Sequence, residues 1–221
     1  MKKIKAHLFL LIFILIFCVF YKVDAKINDL PLLGKSIYVD PGHGGRDPGA
    51  LYKDLQEDDI NLEISKILVE KLEEKGAIVY ITRNGDYDLS NPQAYERKRS
   101  DLQNRVKLIN NKNVDLYLSI HLNTYSSTNW KGAQVFYDDI NEKNKILAES
   151  IQKSFKTHLK SNREIKEIST LYMYRHIKVP GVLLEVGFLT NPNERYLLQQ
   201  ESYQKKICNT IVDGVIKYYN N

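Results

Sequence analysis

Residues 36–45 read SIYVDPGHGG. Ser36 to Asp40 has the apolar, aromatic and β-branched content of a strand. Pro41 stops it, and Gly42, Gly44 and Gly45 let the backbone turn sharply and lie close to a neighbour. His43 sits inside that turn, so its imidazole stands off the end of a sheet. A metal ligand, a base and a polar loop residue all fit that position.

Working outward, strand and helix patterns alternate. Ile60, Ile64, Ile67, Leu68 and Leu72 recur at helical spacing and predict a helix over 58–75, closed by Gly76. Strands are expected over 77–82, 114–121, 132–137 and 181–187. Helices are expected over 94–111, 141–159 and 202–219. Such alternation predicts an α/β fold, with a largely parallel or mixed twisted sheet of about five or six strands flanked by helices. In sheets of this kind ligands gather beyond the carboxyl ends of the strands. The polar residues at those ends are therefore the candidates for function.

The chain has 221 residues and a formal charge of +5, much of it in Lys2, Lys3, Lys5 and Lys22. No cluster of basic and aromatic residues reads as a nucleic-acid face. The basic start, the apolar run from Leu8 to Tyr21 and the small-residue pattern Val23-Asp24-Ala25 read as a signal peptide or N-terminal membrane anchor over 1–25. The run is shorter than the roughly 18–20 apolar residues that span a bilayer, which favours an export signal. A linker over 26–35 and one domain over 36–221 follow. Membrane contact is expected only through the N-terminal segment. Cys18 lies in that segment, which leaves Cys208 as a packed thiol without a disulfide partner.

Four residues far apart in sequence converge on one expected rim: His43 after the first strand, Glu57 at the start of the first helix, His121 closing LYLSIH, and Glu185 within VLLEV. Two imidazoles and a carboxylate suit a zinc ion with water in the fourth position. A second carboxylate beside that water suits general base and proton-donor work. Each has a plainer reading. His43 reads equally as a loop residue and His121 as a strand cap. Glu57 lies in an acidic helix start that the helix dipole favours anyway. Glu185 is hardest to explain structurally, because an ionised carboxylate inside an apolar strand is costly without a partner. Arg97, Lys98, Arg99 and Arg105 read as a solvated helical face, with Arg105 alternatively meeting an anionic substrate. Trp130 reads as a sugar platform or as loop packing.

At these residues the sequence resembles the zinc-dependent N-acetylmuramoyl-L-alanine amidases of the amidase-3 family. The matching blocks are VDPGHGG (39–45), EDDINL (57–62), SIHLN (119–123) and LEVGFLTN (184–191), within a likeness over about 36–219. The resemblance implies that His43, Glu57 and His121 hold Zn²⁺ and that Glu185 is the catalytic carboxylate. Asp58 stands where the family often has a basic residue, so Asp54, Asp58 and Asp59 compete with Glu57; the following Asp-Ile-Asn-Leu sets the register on Glu57. DLQNRVKLIN (101–110) and WKGAQVFY (130–137) are most similar to the germination-specific, CwlD-type branch. That implies a peptidoglycan hydrolase cutting the amide between the N-acetylmuramic acid lactyl group and L-alanine. It also implies a role in spore cortex maturation, muramic δ-lactam formation and germination. Location would be extracytoplasmic, in the cell wall or the spore intermembrane space, with peptidoglycan as substrate and an activating partner protein as a further expectation. The alternatives are a secreted zinc peptidase acting on peptide stems and a non-catalytic wall-binding protein of the same fold.

Overall fold

The structure is a computed structural model that describes residues 12–14, 17 and 29–220. The expected targeting segment lies, apart from 12–14 and 17, outside the described residues. Among the described residues no helix is long and apolar enough to cross a membrane. The end of the expected linker packs down. Leu32 is fully buried and its N–H donates to the Lys75 carbonyl.

The strands are β1 (Ser36–Pro41), β2 (Leu51–Tyr52), β3 (Leu55–Gln56), β4 (Ile78–Ile81), β5 (Leu116–Asn123), β6 (Gln134–Tyr137), β7 (Lys166–Glu167) and β8 (Gly181–Phe188). The helices are α1 (Glu57–Glu73), α2 (Arg97–Asn110), α3 (Glu142–His158), α4 (Tyr172–His176), α5 (Pro192–Leu198) and α6 (Glu201–Tyr219). Six strands form one sheet in the order β4-β1-β5-β8-β6-β7, and β2 and β3 make a separate small hairpin. Every pairing in the main sheet is parallel except β6 with β8. This is the α/β mixed sheet that the alternating pattern predicts.

The chain runs from β1 through α1 to β4 on one side, then through α2 to β5 on the other side of β1. Right-handed crossovers in opposite directions put their helices on opposite faces. They also open a crevice at the carboxyl ends of β1 and β5, where the strand order reverses. His43 follows β1 and His121 lies near the end of β5, so topology alone brings the two imidazoles to one crevice.

Strand alternation divides the core. Ile37, Val39, Leu118, Ile120, Leu184 and Val186 face α1, α3 and α6 in the larger cluster. Tyr38, Tyr117 and Leu183 face α2 and α4 in the smaller one, with Ile109, Met173 and Ile177. Cys208, on α6, is buried and, among the described residues, has no disulfide partner. Its Sγ–H donates to the Ile64 carbonyl on α1 at 3.3 Å. Asn141 caps α3 by accepting from the Lys143 N–H. Asn191 caps α5 in the same way, with Pro192 in the first turn.

Short elements escaped the periodicity. The two-residue strands and five-residue α4 hold too few positions to show a period. The helix expected from 94 begins at Arg97 because residues 91–96 are spent in turns.

Candidate active site

His43 occupies a left-handed backbone conformation, φ 63°, between Gly42 and Gly44. A non-glycine residue there stores backbone strain of order 1–3 kcal/mol and needs surrounding contacts to hold it. Gly42 has to be glycine for another reason. A Cβ at that position would lie 2.2 Å from Cε1 of His121. The turn and the His121 ring are thus packed directly on one another, with imidazole centroids 4.8 Å apart and nearly perpendicular planes.

Glu57 is the first residue of α1 and is buried. Its Oε1 lies 3.3 Å from Nε2 of His43 and 3.0 Å from Nδ1 of His121. The donor atoms of the three residues all fall within 4.8 Å of one another. Asp54, Asp58 and Asp59 do not join the cluster. The carboxylate is aimed by three N–H groups. Oε2 accepts from Ala50 N–H at 2.9 Å, and Oε1 accepts from Leu122 N–H at 3.0 Å and from the Asn61 amide at 3.3 Å. Burial pushes the Glu57 pKa up, but the His121 and His43 hydrogen bonds outweigh it and hold the group well below the usual carboxylate range.

The outer face of His43 is also fixed. Its Nδ1 pairs with Oδ2 of Asp47 at 3.0 Å, which leaves Nε2 for the centre of the cluster. A carboxylate behind a metal-binding imidazole is the usual way to orient the ring and raise its basicity. Burial pushes the imidazole pKa down, but hydrogen bonds to Asp47 and Glu57 dominate and raise it to about 9.

Glu185 is in register with His121 across the β5–β8 pair and with Gln134 on β6. It therefore shares a sheet face with His121. Its Oε2 is shut off from solvent and has no hydrogen-bond partner among the described residues. Burial, with Glu57 nearby, pushes its pKa up to about 8. Beside the two histidines lies a cavity of about 190 Å³, lined among others by Leu102, Tyr172 and Met173.

The structure thus places all four sequence candidates at the carboxyl rim of β1, β5 and β8. It brings three of them into one cluster, with Glu185 adjacent to His121. Sequence reasoning missed Asp47, Asn61, Asp40 and Arg83, and it read Arg105 as a solvated helical residue or one meeting an anionic substrate. Asn61 had a readable signal, being four residues beyond Glu57 on the same helix face. Arg105 is not a solvated helical residue. It is 1% exposed and pairs with Asp40 at 2.7 Å and Asp101 at 2.8 Å. Asp40 in turn accepts from Thr82 and Ser119 hydroxyls. Trp130 is partly exposed, with Tyr125 against it and the Arg163 guanidinium over its ring.

Fold and site together define an α/β domain with a His–Glu–His cluster at a topological switch point. Residues 37–217 match the family described as N-acetylmuramoyl-L-alanine amidase. The chain belongs to that amidase-3 family and is a peptidoglycan amidase. It is 42% identical to the germination-specific N-acetylmuramoyl-L-alanine amidase of Bacillus subtilis, across 99% of this chain and 96% of that one. Its fold is similar to that of the CwlD amidase from Clostridioides difficile, solved in complex with the GerS lipoprotein. That likeness has a TM-score of 0.81 and 38% identity, over 85% of this chain and 99% of the other. An N-acetylmuramoyl-L-alanine amidase from Clostridium difficile 630 matches with a TM-score of 0.75 and 30% identity, over 85% and 97% of the two chains.

Proposed function

We propose that this chain is a zinc-dependent amidase of the spore cortex, cutting the bond between the muramic acid lactyl group and L-alanine. The zinc reading is supported by the donor set. Two imidazole nitrogens and one carboxylate oxygen within 4.8 Å of one another are the three protein donors that a catalytic zinc would take. The fit extends outward, since Asp47 backs His43 and the Asn61 amide steadies Glu57. His43, Glu57 and His121 would hold the ion. When bound, zinc supplies Lewis-acid polarisation of the amide carbonyl and acidifies a water.

Glu185 carries the proton work. Its solvent-shielded Oε2 without a partner is the observation that supports this role. A carboxylate in that setting accepts a proton readily and gives it back to a departing amine. Glu185 therefore takes the proton of the attacking water and passes it to the alanine nitrogen. The cavity beside His43 and His121, with Leu102 and Tyr172 in its lining, would give the scissile bond room next to the cluster.

The cortex and germination role rests on the likeness to the Bacillus subtilis and CwlD amidases. The GerS lipoprotein in the CwlD complex supports a protein partner here too. Action outside the cytoplasmic membrane follows from the substrate, with export by the N-terminal segment.

The test is incubation of the purified chain with intact cortex peptidoglycan, with and without chelator. We expect free lactyl carboxylates on muramic acid and peptides beginning with alanine, abolished by chelation and restored by zinc. Release of peptide fragments without new lactyl carboxylates would replace the amidase reading with a peptidase. Chelator-resistant activity would remove zinc. His43→Ala and His121→Ala are expected to lower bound zinc in elemental analysis, and unchanged stoichiometry would overturn the ligand set.

A further inference from the structure

The turn that carries His43 is gripped by two buried guanidiniums. Arg105 donates from Nη1 to the Pro41 carbonyl at 2.7 Å and from Nη2 to the His43 carbonyl at 2.5 Å. Arg83 donates from Nε to Pro41 at 3.2 Å and from Nη2 to the Gly42 carbonyl at 2.9 Å. Three consecutive carbonyls of a strained turn are thus taken by two cations, each 1% exposed.

The two arginines differ in one respect. Arg105 is neutralised by Asp40 and Asp101. Among the described residues Arg83 donates only to carbonyl oxygens, and one of them belongs to another element. The Nη2 that binds Gly42 also binds the Asp58 carbonyl at 2.8 Å, in the first turn of α1. Gly42 precedes His43 and Asp58 follows Glu57. One nitrogen therefore ties the segment bearing one candidate ligand to the segment bearing another. Burying a guanidinium without a carboxylate partner is costly, and stability alone gives little reason for it. Fixing a spacing does, because a planar fork with several fixed donors holds separate carbonyls at set distances.

We propose that Arg83 is a positioning residue for the metal site, setting the separation of His43 and Glu57 through the Gly42 and Asp58 carbonyls. The inference rests on the His43–Glu57–His121 ligand reading. Asn61 contributes a weaker parallel link, donating to the Gly42 carbonyl at 3.4 Å and to Glu57 Oε1. Arg83 itself touches no candidate ligand side chain in these contacts.

The experiment compares Arg83→Lys and Arg105→Lys in the full-length chain, reading zinc affinity by competition with a chromophoric chelator and fold by thermal melting of the metal-free protein. Outer partners of metal ligands typically control affinity by about 10–100-fold. We expect Arg83→Lys to weaken zinc binding at least about tenfold. We also expect it to change the visible spectrum of the cobalt-substituted protein. Arg105→Lys, which leaves the α1 tie intact, should cost mainly melting temperature. Equal zinc affinity in Arg83→Lys and the parent would overturn the proposal, as would equal losses in both variants. Zinc uptake too weak to measure in the parent would instead overturn the ligand set. A second measurement needs no variant. In the metal-free parent, nitrogen NMR of the arginine side chains should show Arg83 with two distinct, slowly rotating Nη groups; a freely rotating guanidinium would sink the clamp even if Arg83→Lys fails to fold.

Discussion

On one face of the sheet, Ile37, Val39, Leu118, Ile120, Leu184 and Val186 meet α1, α3 and α6 in a continuous apolar core. On the other, the alternate residues of the same strands begin with Tyr38, Tyr117 and Leu183 in the smaller cluster and turn polar toward the carboxyl ends at Asp40, Ser119, His121 and Glu185, and the register lays Asp40 beside Ser119 and His121 beside Glu185. The period-two alternation of a strand lets one segment serve both purposes. The apolar face supplies stability, and the polar face spends some of it on groups that are buried, charged or without partners. The helices differ to match, since α2 and α4 cover less of their face and leave the cavity beside the histidines. The two faces should therefore fail differently when mutated.

The largest separation is expected at Glu185. Glu185→Ala removes the proton carrier and should lower turnover about 10³-fold, within the range for general acid–base groups. Bound zinc and melting temperature should stay close to the parent, because no hydrogen bond to Oε2 is lost. Muropeptide analysis beside elemental analysis checks both halves. A large drop in stability without loss of turnover would make Glu185 a structural residue.

Asp40 comes next and tests whether the polar face has a supporting layer beneath its site. Burial pushes its pKa up, but Arg105 and the Thr82 and Ser119 hydroxyls outweigh this and hold it below the ordinary value of 3.8. A depressed carboxylate contributes stability that is present above its unfolded pKa and lost as pH falls through the lower folded value. Breaking a buried ion pair from one side costs about 3–5 kcal/mol. Asp40→Asn should therefore lower the unfolding free energy extrapolated from urea melts at neutral pH by an amount in that range. It should also flatten the parent's loss of stability below about pH 4. A neutral-pH unfolding free energy equal to the parent's would show that Arg105 is satisfied by Asp101 and the carbonyls alone.

How much of this contrast was legible in the sequence follows from the same alternation. The long elements carry enough periods to be read, so β1, β5, β8, α1, α3 and α6 were all expected near their observed places. The rim positions of His43, Glu57, His121 and Glu185 followed from strand ends and a helix start. Pairwise geometry did not. VLLEV reads as uniformly buried because both its faces are covered, and nothing local says that Glu185 shares the face of His121. Arg105 sits among Arg97, Lys98 and Arg99, and only the fold shows that it turns inward to Asp40. Arg83 bonds to backbone carbonyls, which have no signature in side-chain identity at all.

Leu118 reverses the Glu185 experiment. It is fully buried on the apolar face, one residue from Ser119. Leu118→Ala should cost about 3 kcal/mol through lost burial and a cavity. Turnover per folded molecule should stay near the parent's, because the strand backbone carrying His121 keeps its pairing. Loss of activity beyond the unfolded fraction would mean that the two faces are mechanically coupled.

The smallest effect is expected at Cys208, and it probes the apolar face without carving it. Burial pushes the thiol up to about 12, so it is neutral and unreactive in the native fold. The raised value implies stability that is complete below the ordinary thiol pKa and lost as pH rises toward 12. Cys208→Ser should cost about 1 kcal/mol, since a hydroxyl repeats the bond to the Ile64 carbonyl but is more polar than sulfur. Alkylation of Cys208 in a Cys18→Ser background should proceed only as fast as α6 and α1 separate. If zinc binds the polar rim as proposed, adding it stabilises the native state by mass action and slows that labelling, linking the two faces through global opening alone. Labelling that is fast at neutral pH and indifferent to zinc would show that α6 opens on its own, and that the apolar face is not the rigid half of the molecule.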